Sequence, residues 1–180
     1  MQNLLTADAI TLRPAAIEDK EKIFRWLAHS NLTKEMLGPP KFPENPIPSW
    51  EAFVNDYANY YFDGSQPLLG RCFIIMHHNQ EVGQINYNEL DEEDQSTEID
   101  IWLADKKYTG KGLGTAALQL LCRYLHQTYN CRKIYIAPSR RNRTAIKSYT
   151  KVGFTETNNP PGYFVPDYSD TVVMVKYMEL

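Results

Sequence analysis

The sequence predicts an α/β protein of the α+β kind, one domain over residues 1–180 in which a sheet is flanked by helices. Three observations predict it. Short apolar or alternating runs at 10–14, 71–77, 82–87, 99–103 and 133–137 have the length and pattern of strands. Longer segments at 16–28 and 113–127 place their apolar residues at helical spacing. Between the strand at 99–103 and the helix at 113–127 lie Gly110, Gly112 and Gly114, so that strand, glycine turn and helix follow one another.

Composition limits the functions this layout serves. A chain of 180 residues, 43% hydrophobic and 23% charged, is long enough to enclose one sizeable core. A net charge of -3 argues against a dedicated nucleic-acid binder and favours cationic or neutral partners. Cys72, Cys122 and Cys131 are odd in number and have no close pairing, so neither a disulfide framework nor a structural zinc is expected, and a reducing cytoplasm is the simplest compartment. His77-His78 lacks acidic or cysteine partners at ligand spacing and reads as structural or exposed; no metal is expected. No basic leader followed by an apolar run opens the chain, and no segment has the length to cross a bilayer, so neither export nor a membrane is expected.

Taken in order, Ile10-Thr11-Leu12-Arg13-Pro14 alternates and stops at a proline, as a short strand does. The helix at 16–28 has Glu18 and Asp19 in its first turn and Ile23, Phe24 and Leu27 on one face. Residues 38–48 hold five of the eleven prolines and read as a rigid loop, with one wall of a substrate cleft as its suggested use. Ser49 is placed to cap a second helix, in which Phe53, Tyr57 and Tyr60 or Tyr61 fall on one side; this stripe reads as core rather than as a ligand box. The strands at 71–77 and 82–87 form a hairpin turning through His78-Asn79-Gln80-Glu81.

Glu89-Leu90-Asp91-Glu92-Glu93-Asp94 puts five carboxylates within six residues, just before the central strand. Two readings stand: a solvated loop, or an electrostatic funnel for a polycation.

The glycine stretch, Tyr108-Thr109-Gly110-Lys111-Gly112-Leu113-Gly114-Thr115, is neither of the common nucleotide loops. Lys111 lies between glycines instead of following the last one, as a P-loop requires, and the spacing is G-x-G-x-G where a dinucleotide fingerprint needs G-x-G-x-x-G. What it provides is a turn whose amides converge on a pyrophosphate, followed by a helix with Leu113, Ala117, Leu120, Leu121, Tyr124 and Leu125 on one face. A strand at 133–137, a turn, a helix ending at Gly153 and a new strand follow.

Gly110-Lys111-Gly112-Leu113-Gly114, followed by Asn142-x-x-Ala145-x-x-x-Tyr149-x-x-x-Gly153-Phe154, resembles the paired signature of the GCN5-related N-acetyltransferases, the GNAT superfamily. Within it the chain is most similar to the aminoglycoside 6'-N-acetyltransferases, through Glu98-Ile99-Asp100-Ile101-Trp102-Leu103 and residues 138–154; the regions 38–61 and beyond 157 are not covered. The resemblance implies a mixed, mostly antiparallel sheet of about seven strands, flanked by about four helices and splayed at the central strand. It also implies acetyl-coenzyme A as co-substrate and direct attack by an amine on the thioester.

Carried over residue by residue, the resemblance puts Leu103, Ala104 and Asp105 along the pantetheine arm. Thr109, Gly110, Lys111, Gly112, Leu113, Gly114 and Thr115 fall at the pyrophosphate, with Asn142 on the second motif helix also at the cofactor. Thr109 stands where the family usually has Arg or Gln, which removes one side-chain contact to phosphate. Tyr149 matches the residue that protonates the departing thiolate, its other reading being a tyrosine packed on the sheet. Asp100 matches an aspartate near the accepting amine, with Glu98 and Trp102 on the same side of the strand as acceptor-binding residues; its other reading is a hydrogen-bonded structural aspartate. Arg140, Arg141, Arg143 and Lys147 read as contacts to a coenzyme A phosphate or as solvated charges.

The expected acceptor is a small-molecule amine, an aminoglycoside first, a polyamine second, a protein amine third; the competing class is a non-catalytic acyl-coenzyme A module. Neither nucleic acid nor membrane is an expected partner. A monomer or a homodimer is expected, the latter pairing through an edge strand at 171–177.

Overall fold

Eight strands form one sheet among the residues that the computed structural model describes, which are 5–7, 10–37, 47–167 and 169–179. They are β1 (Leu5–Ala7), β2 (Ile10–Pro14), β3 (Arg71–His77), β4 (Gln80–Tyr87), β5 (Ser96–Leu103), β6 (Lys133–Ile136), β7 (Thr155–Glu156) and β8 (Met174–Tyr177), in the spatial order β1-β2-β3-β4-β5-β6-β8-β7. Every pairing is antiparallel except β5 with β6. That parallel pair needs a crossover, supplied by α5 (Leu113–Tyr129). The other helices are α1 (Lys20–His29), α2 (Thr33–Leu37), α3 (Trp50–Asp56), α4 (Tyr60–Asp63) and α6 (Arg143–Val152).

The mixed, mostly antiparallel sheet flanked by helices is the class the sequence predicts. β7, of two residues, is the strand expected after Gly153, whereas the three-residue edge strand β1 is too short to show a period and brings the strands described to eight. The helices described number six, two more than expected, because the short α2 was not foreseen and the segment from Ser49 does not continue to Tyr61. Ser49 does cap α3, its hydroxyl accepting from Ala52 N–H at 3.1 Å, but the backbone leaves the helix at Tyr57 and re-enters it as α4. The break lets Phe53, Tyr61 and Phe62 all reach the core. A 3-10 turn at Ile17–Asp19 precedes α1, and the buried Asp19 side chain accepts from Ala16 N–H and from Arg13 and pairs with Lys22.

The β3–β4 hairpin is tighter than predicted. Its turn is His78-Asn79 alone, both residues left-handed, so Gln80 and Glu81 belong to β4.

Alternation along the strands feeds two cores. Phe73, Ile75, Ile85, Tyr87 and Ile99 face α5 and α6 on one side, where Leu118, Leu121 and Leu125 are fully buried, each worth roughly 1.5–3 kcal/mol. Cys72, Ile74 and Trp102 face α1, α3 and α4 on the other. β5 and β6 pair only from Ser96–Lys133 to Glu98–Tyr135; beyond that point β5 stays with β4 while β6 continues beside β8, and the sheet opens.

Two expectations concern the rest of the chain. β8 is an interior strand, held by β6 on one side and β7 on the other, so 171–177 is not the edge through which a second subunit would pair. Most of the proline-rich loop, 38–46, lies outside the described residues.

Candidate active site

The glycine turn sits at the mouth of the gap between β5 and β6. Gly110 and Gly112 have φ of 71° and 79°, a region costly for residues with a Cβ, although a Cβ at either would meet nothing within 4 Å. The requirement is conformational: the two turns aim the chain into α5. The first intrahelical bond runs from Ala116 N–H to the Gly112 carbonyl at 3.0 Å, which leaves the amides of Leu113, Gly114 and Thr115 at the open, positive end of a seventeen-residue helix. Such an end binds phosphate.

A cleft of about 330 Å³ begins there. Leu103, Thr109, Gly110, Gly112 to Thr115 and Asn142 all line it, with Tyr149. Across it the Thr115 and Ser148 hydroxyls meet at 3.0 Å and tie α5 to α6. Lys111 is exposed at the tip of the turn and is not part of the wall. Thr109 donates its hydroxyl to the Lys106 carbonyl at 2.7 Å, so its side chain closes a local turn. Asn142 caps α6, its amide oxygen accepting from Ala145 N–H.

The strand edge facing the gap can be read from the ladder. Asn88 N–H bonds the Glu98 carbonyl and Ala104 N–H bonds that of Val82, so the even-numbered residues of β5 pair with β4. The backbone groups of Ile101 and Leu103 therefore face the opening. Ala104 is committed to β4, and the Asp105 carboxylate accepts from Lys107 N–H. Ile101 also lines the cleft. The sequence reading missed it because only the bonding parity of the strand reveals which residues face the gap.

Tyr149, 8% exposed, lies on the same side of the sheet as α5. Glu98, Asp100 and Trp102 project from the opposite side of β5, as alternation predicts. The structure thus brings Glu98, Asp100 and Trp102 together and separates them from Tyr149 by the strand itself. Trp102 joins the two regions, lining the cleft while packing edge-on against the Tyr57 ring at 5.9 Å.

Asp100 accepts from Asn86 Nδ2 at 3.1 Å and from Asn88 Nδ2 at 3.2 Å. Burial raises its pKa and these two donors pull it back, leaving it above the ordinary carboxylate range. Glu98 is pushed up to about 8, by burial first, then by the charges of Asp100 and Asp167. Asn86, Asn88 and Asp167 were not anticipated. The asparagines carry no motif, and Asp167 arrives on the long loop between β7 and β8.

The acidic run turns back on itself. Asp91 pairs with Ser96 and accepts from Asp94 N–H, while Asp94 bridges to Lys133; Glu89, Glu92 and Glu93 are exposed. In the basic cluster, Arg141 holds Asp170 at 2.7 Å and Arg140 reaches Glu156, so both tie down neighbouring segments, whereas Lys147 lines the cleft.

A splayed mixed sheet, with the open, positive end of a helix at the mouth of the gap and a second, carboxylate-lined region behind the strand, is the layout of a coenzyme A-dependent transferase. The chain belongs to the GNAT acetyltransferases: the family model described as "Acetyltransferase (GNAT) domain" matches residues 9–155. Among curated proteins it is 36% identical over 70 residues to the probable spermine N(1)-acetyltransferase of Bacillus subtilis subsp. natto, a match covering 38% of this chain and 46%, about half, of that relative. It is 26% identical over 150 residues to the spermidine N(1)-acetyltransferase of Escherichia coli K12, over 83% of this chain and 75% of the relative. Among solved structures, AAC(6')-Ib in complex with paromomycin and acetyl-coenzyme A is 25% identical with a TM-score of 0.72, over 94% of both chains. The Vibrio cholerae spermidine N-acetyltransferase with coenzyme A and spermine shares the fold at a TM-score of 0.71 and 19% identity, over 94% of this chain and 95% of that one. Among the described residues, no helix is long and apolar enough to cross a membrane.

Proposed function

We propose that this protein moves the acetyl group of acetyl-coenzyme A to a primary amine of a small polycationic acceptor. The amine nitrogen attacks the thioester carbonyl, the carbon–sulfur bond breaks, and coenzyme A leaves as the thiol. The α5 terminus and glycine turn hold the pyrophosphate, and the open edge at Ile101 and Leu103 aligns the pantetheine arm. Tyr149 gives the leaving sulfur its proton, while Asp100 binds the acceptor ammonium and draws off the proton it must lose.

The observation that carries this reading is the placement of Glu98 and Asp100 on one face of β5, behind the gap and walled by aromatic rings. Two half-buried carboxylates side by side are costly until a cation joins them, so the site favours acceptors with more than one ammonium group.

Aminoglycosides and polyamines both meet that description. The likeness to AAC(6')-Ib supports the first, and the named spermidine and spermine acetyltransferases support the second as strongly. A reducing cytoplasm suits the three free, buried cysteines. Thiol release from acetyl-coenzyme A in the presence of spermidine, spermine, kanamycin or a lysine peptide tests the reading: turnover is expected with the small polycations and little with the peptide. Binding of acetyl-coenzyme A with no transfer to any of the four would favour a non-catalytic acyl-coenzyme A module.

A further inference from the structure

Three amides stand in line along the inner strand β4 and its extension, Gln84 and Asn86 fully buried within the strand and Asn88 partly buried one residue past its end. Gln84, Asn86 and Asn88 alternate along the chain, so all three project from the face that carries Asp100 on β5. Their hydrogen bonds run in one direction. Gln84 Nε2 donates to Asn86 Oδ1 at 3.1 Å, Asn86 Nδ2 donates to Asp100 and to Asn88 Oδ1, and Asn88 Nδ2 donates to Asp100. Tyr61 closes the line, its hydroxyl donating to Asn88 Oδ1 at 3.0 Å.

The direction matters because an amide can face a carboxylate usefully only with its N–H groups. Asn86 flipped end for end would set its oxygen against Asp100 and its N–H₂ against that of Gln84. The Gln84 donor behind it thus selects the orientation that Asp100 needs. Packing does not account for Gln84. Its Oε1, at a residue 0% exposed, finds no partner among the described residues, nor does Nε1 of Trp102, which lies directly opposite it in the register. An apolar side chain would satisfy a purely structural role at lower cost.

We propose that Asn86 and Gln84 are positioning residues of the transfer reaction: Gln84 orients the Asn86 amide, and Asn86 aims the Asp100 carboxylate at the acceptor amine. The inference rests on the role given to Asp100 above. It sets the charge state of the site, because the groups facing Asp100 otherwise oppose its ionisation. Glu98 on its own strand and Asp167 on the β7–β8 loop are like charges, and Tyr57, Tyr61 and Cys72 close around it as neutral groups.

The test is a carbon-detected NMR titration of the side-chain carboxyls, with the Asp100 signal assigned by its loss in D100N. The isosteric variants N86L and Q84M are compared with wild type, and kcat/KM for spermidine is followed across pH. The Asp100 midpoint is expected to rise by about one pH unit in N86L, equivalent to a tenfold loss of the ionised form below it, and by less in Q84M. The acidic limb of kcat/KM should move with it, at unchanged acetyl-coenzyme A affinity. Should N86L lose the fold, as seen by that affinity, Q84M carries the test alone, since it does not touch Asp100. A midpoint unmoved or lowered overturns the proposal. The two readings fail separately: D100N with wild-type transfer removes the role of Asp100, whereas an impaired D100N beside unmoved midpoints removes only that of Asn86 and Gln84.

Discussion

Glu98 and Asp100 stand two residues apart on one face of β5, and burial with mutual repulsion pushes the Glu98 carboxyl up to about 8. A carboxyl whose folded pKa is raised binds its proton more tightly in the folded state, so the protein loses stability as pH rises from about 4.5 towards 8. Glu98→Gln removes this loss. The variant should match wild type in thermal unfolding at pH 5 and exceed it at pH 9 by roughly 1–2 kcal/mol. Calorimetry should at the same time show weaker binding of spermine.

The glycine turn separates conformational from steric demand. Gly110→Ala and Gly112→Ala force left-handed alanines and should each cost about 1 kcal/mol in urea unfolding, and weaken coenzyme A binding by displacing the α5 terminus. A Cβ at Gly114 meets only Ile101 Cδ1 at 3.7 Å, an ordinary contact. Gly114→Ala should therefore leave stability unchanged, and any loss of coenzyme A affinity in it reports the approach of the cofactor.

Gly83 is a different case. A Cβ there would lie 2.5 Å from the Trp102 carbonyl and 2.9 Å from Leu103 Cα, and backbone cannot move aside as a side chain can. Gly83→Ala should destabilise by roughly 2–3 kcal/mol in urea unfolding. Because it pushes on β5 at the gap, coenzyme A binding should fall as well.

Tyr149→Phe keeps the buried ring, which lies 6.3 Å from that of Phe154, and deletes the hydroxyl. Steady-state kinetics should show kcat reduced by about a hundredfold with KM for acetyl-coenzyme A little changed. An unchanged kcat would leave Tyr149 as a packing residue.

The sequence by itself determined most of the strands, the main helices and the glycine turn before α5, because each rests on local rules: strand alternation, helical spacing, and glycines that enter a left-handed turn before a helix. It also placed Glu98, Asp100 and Trp102 on one face, since alternation alone decides that. What only the tertiary structure decided depends on pairing between distant segments. The ladder between β4 and β5 turns Ile101 and Leu103, rather than Ala104, towards the gap, and brings Asn86 and Asn88 onto Asp100. β7 makes β8 an interior strand, and the demand of one core for Phe53, Tyr61 and Phe62 splits a helix that its cap and spacing would have continued. Periodicity tells which way a side chain points; only register tells what it meets.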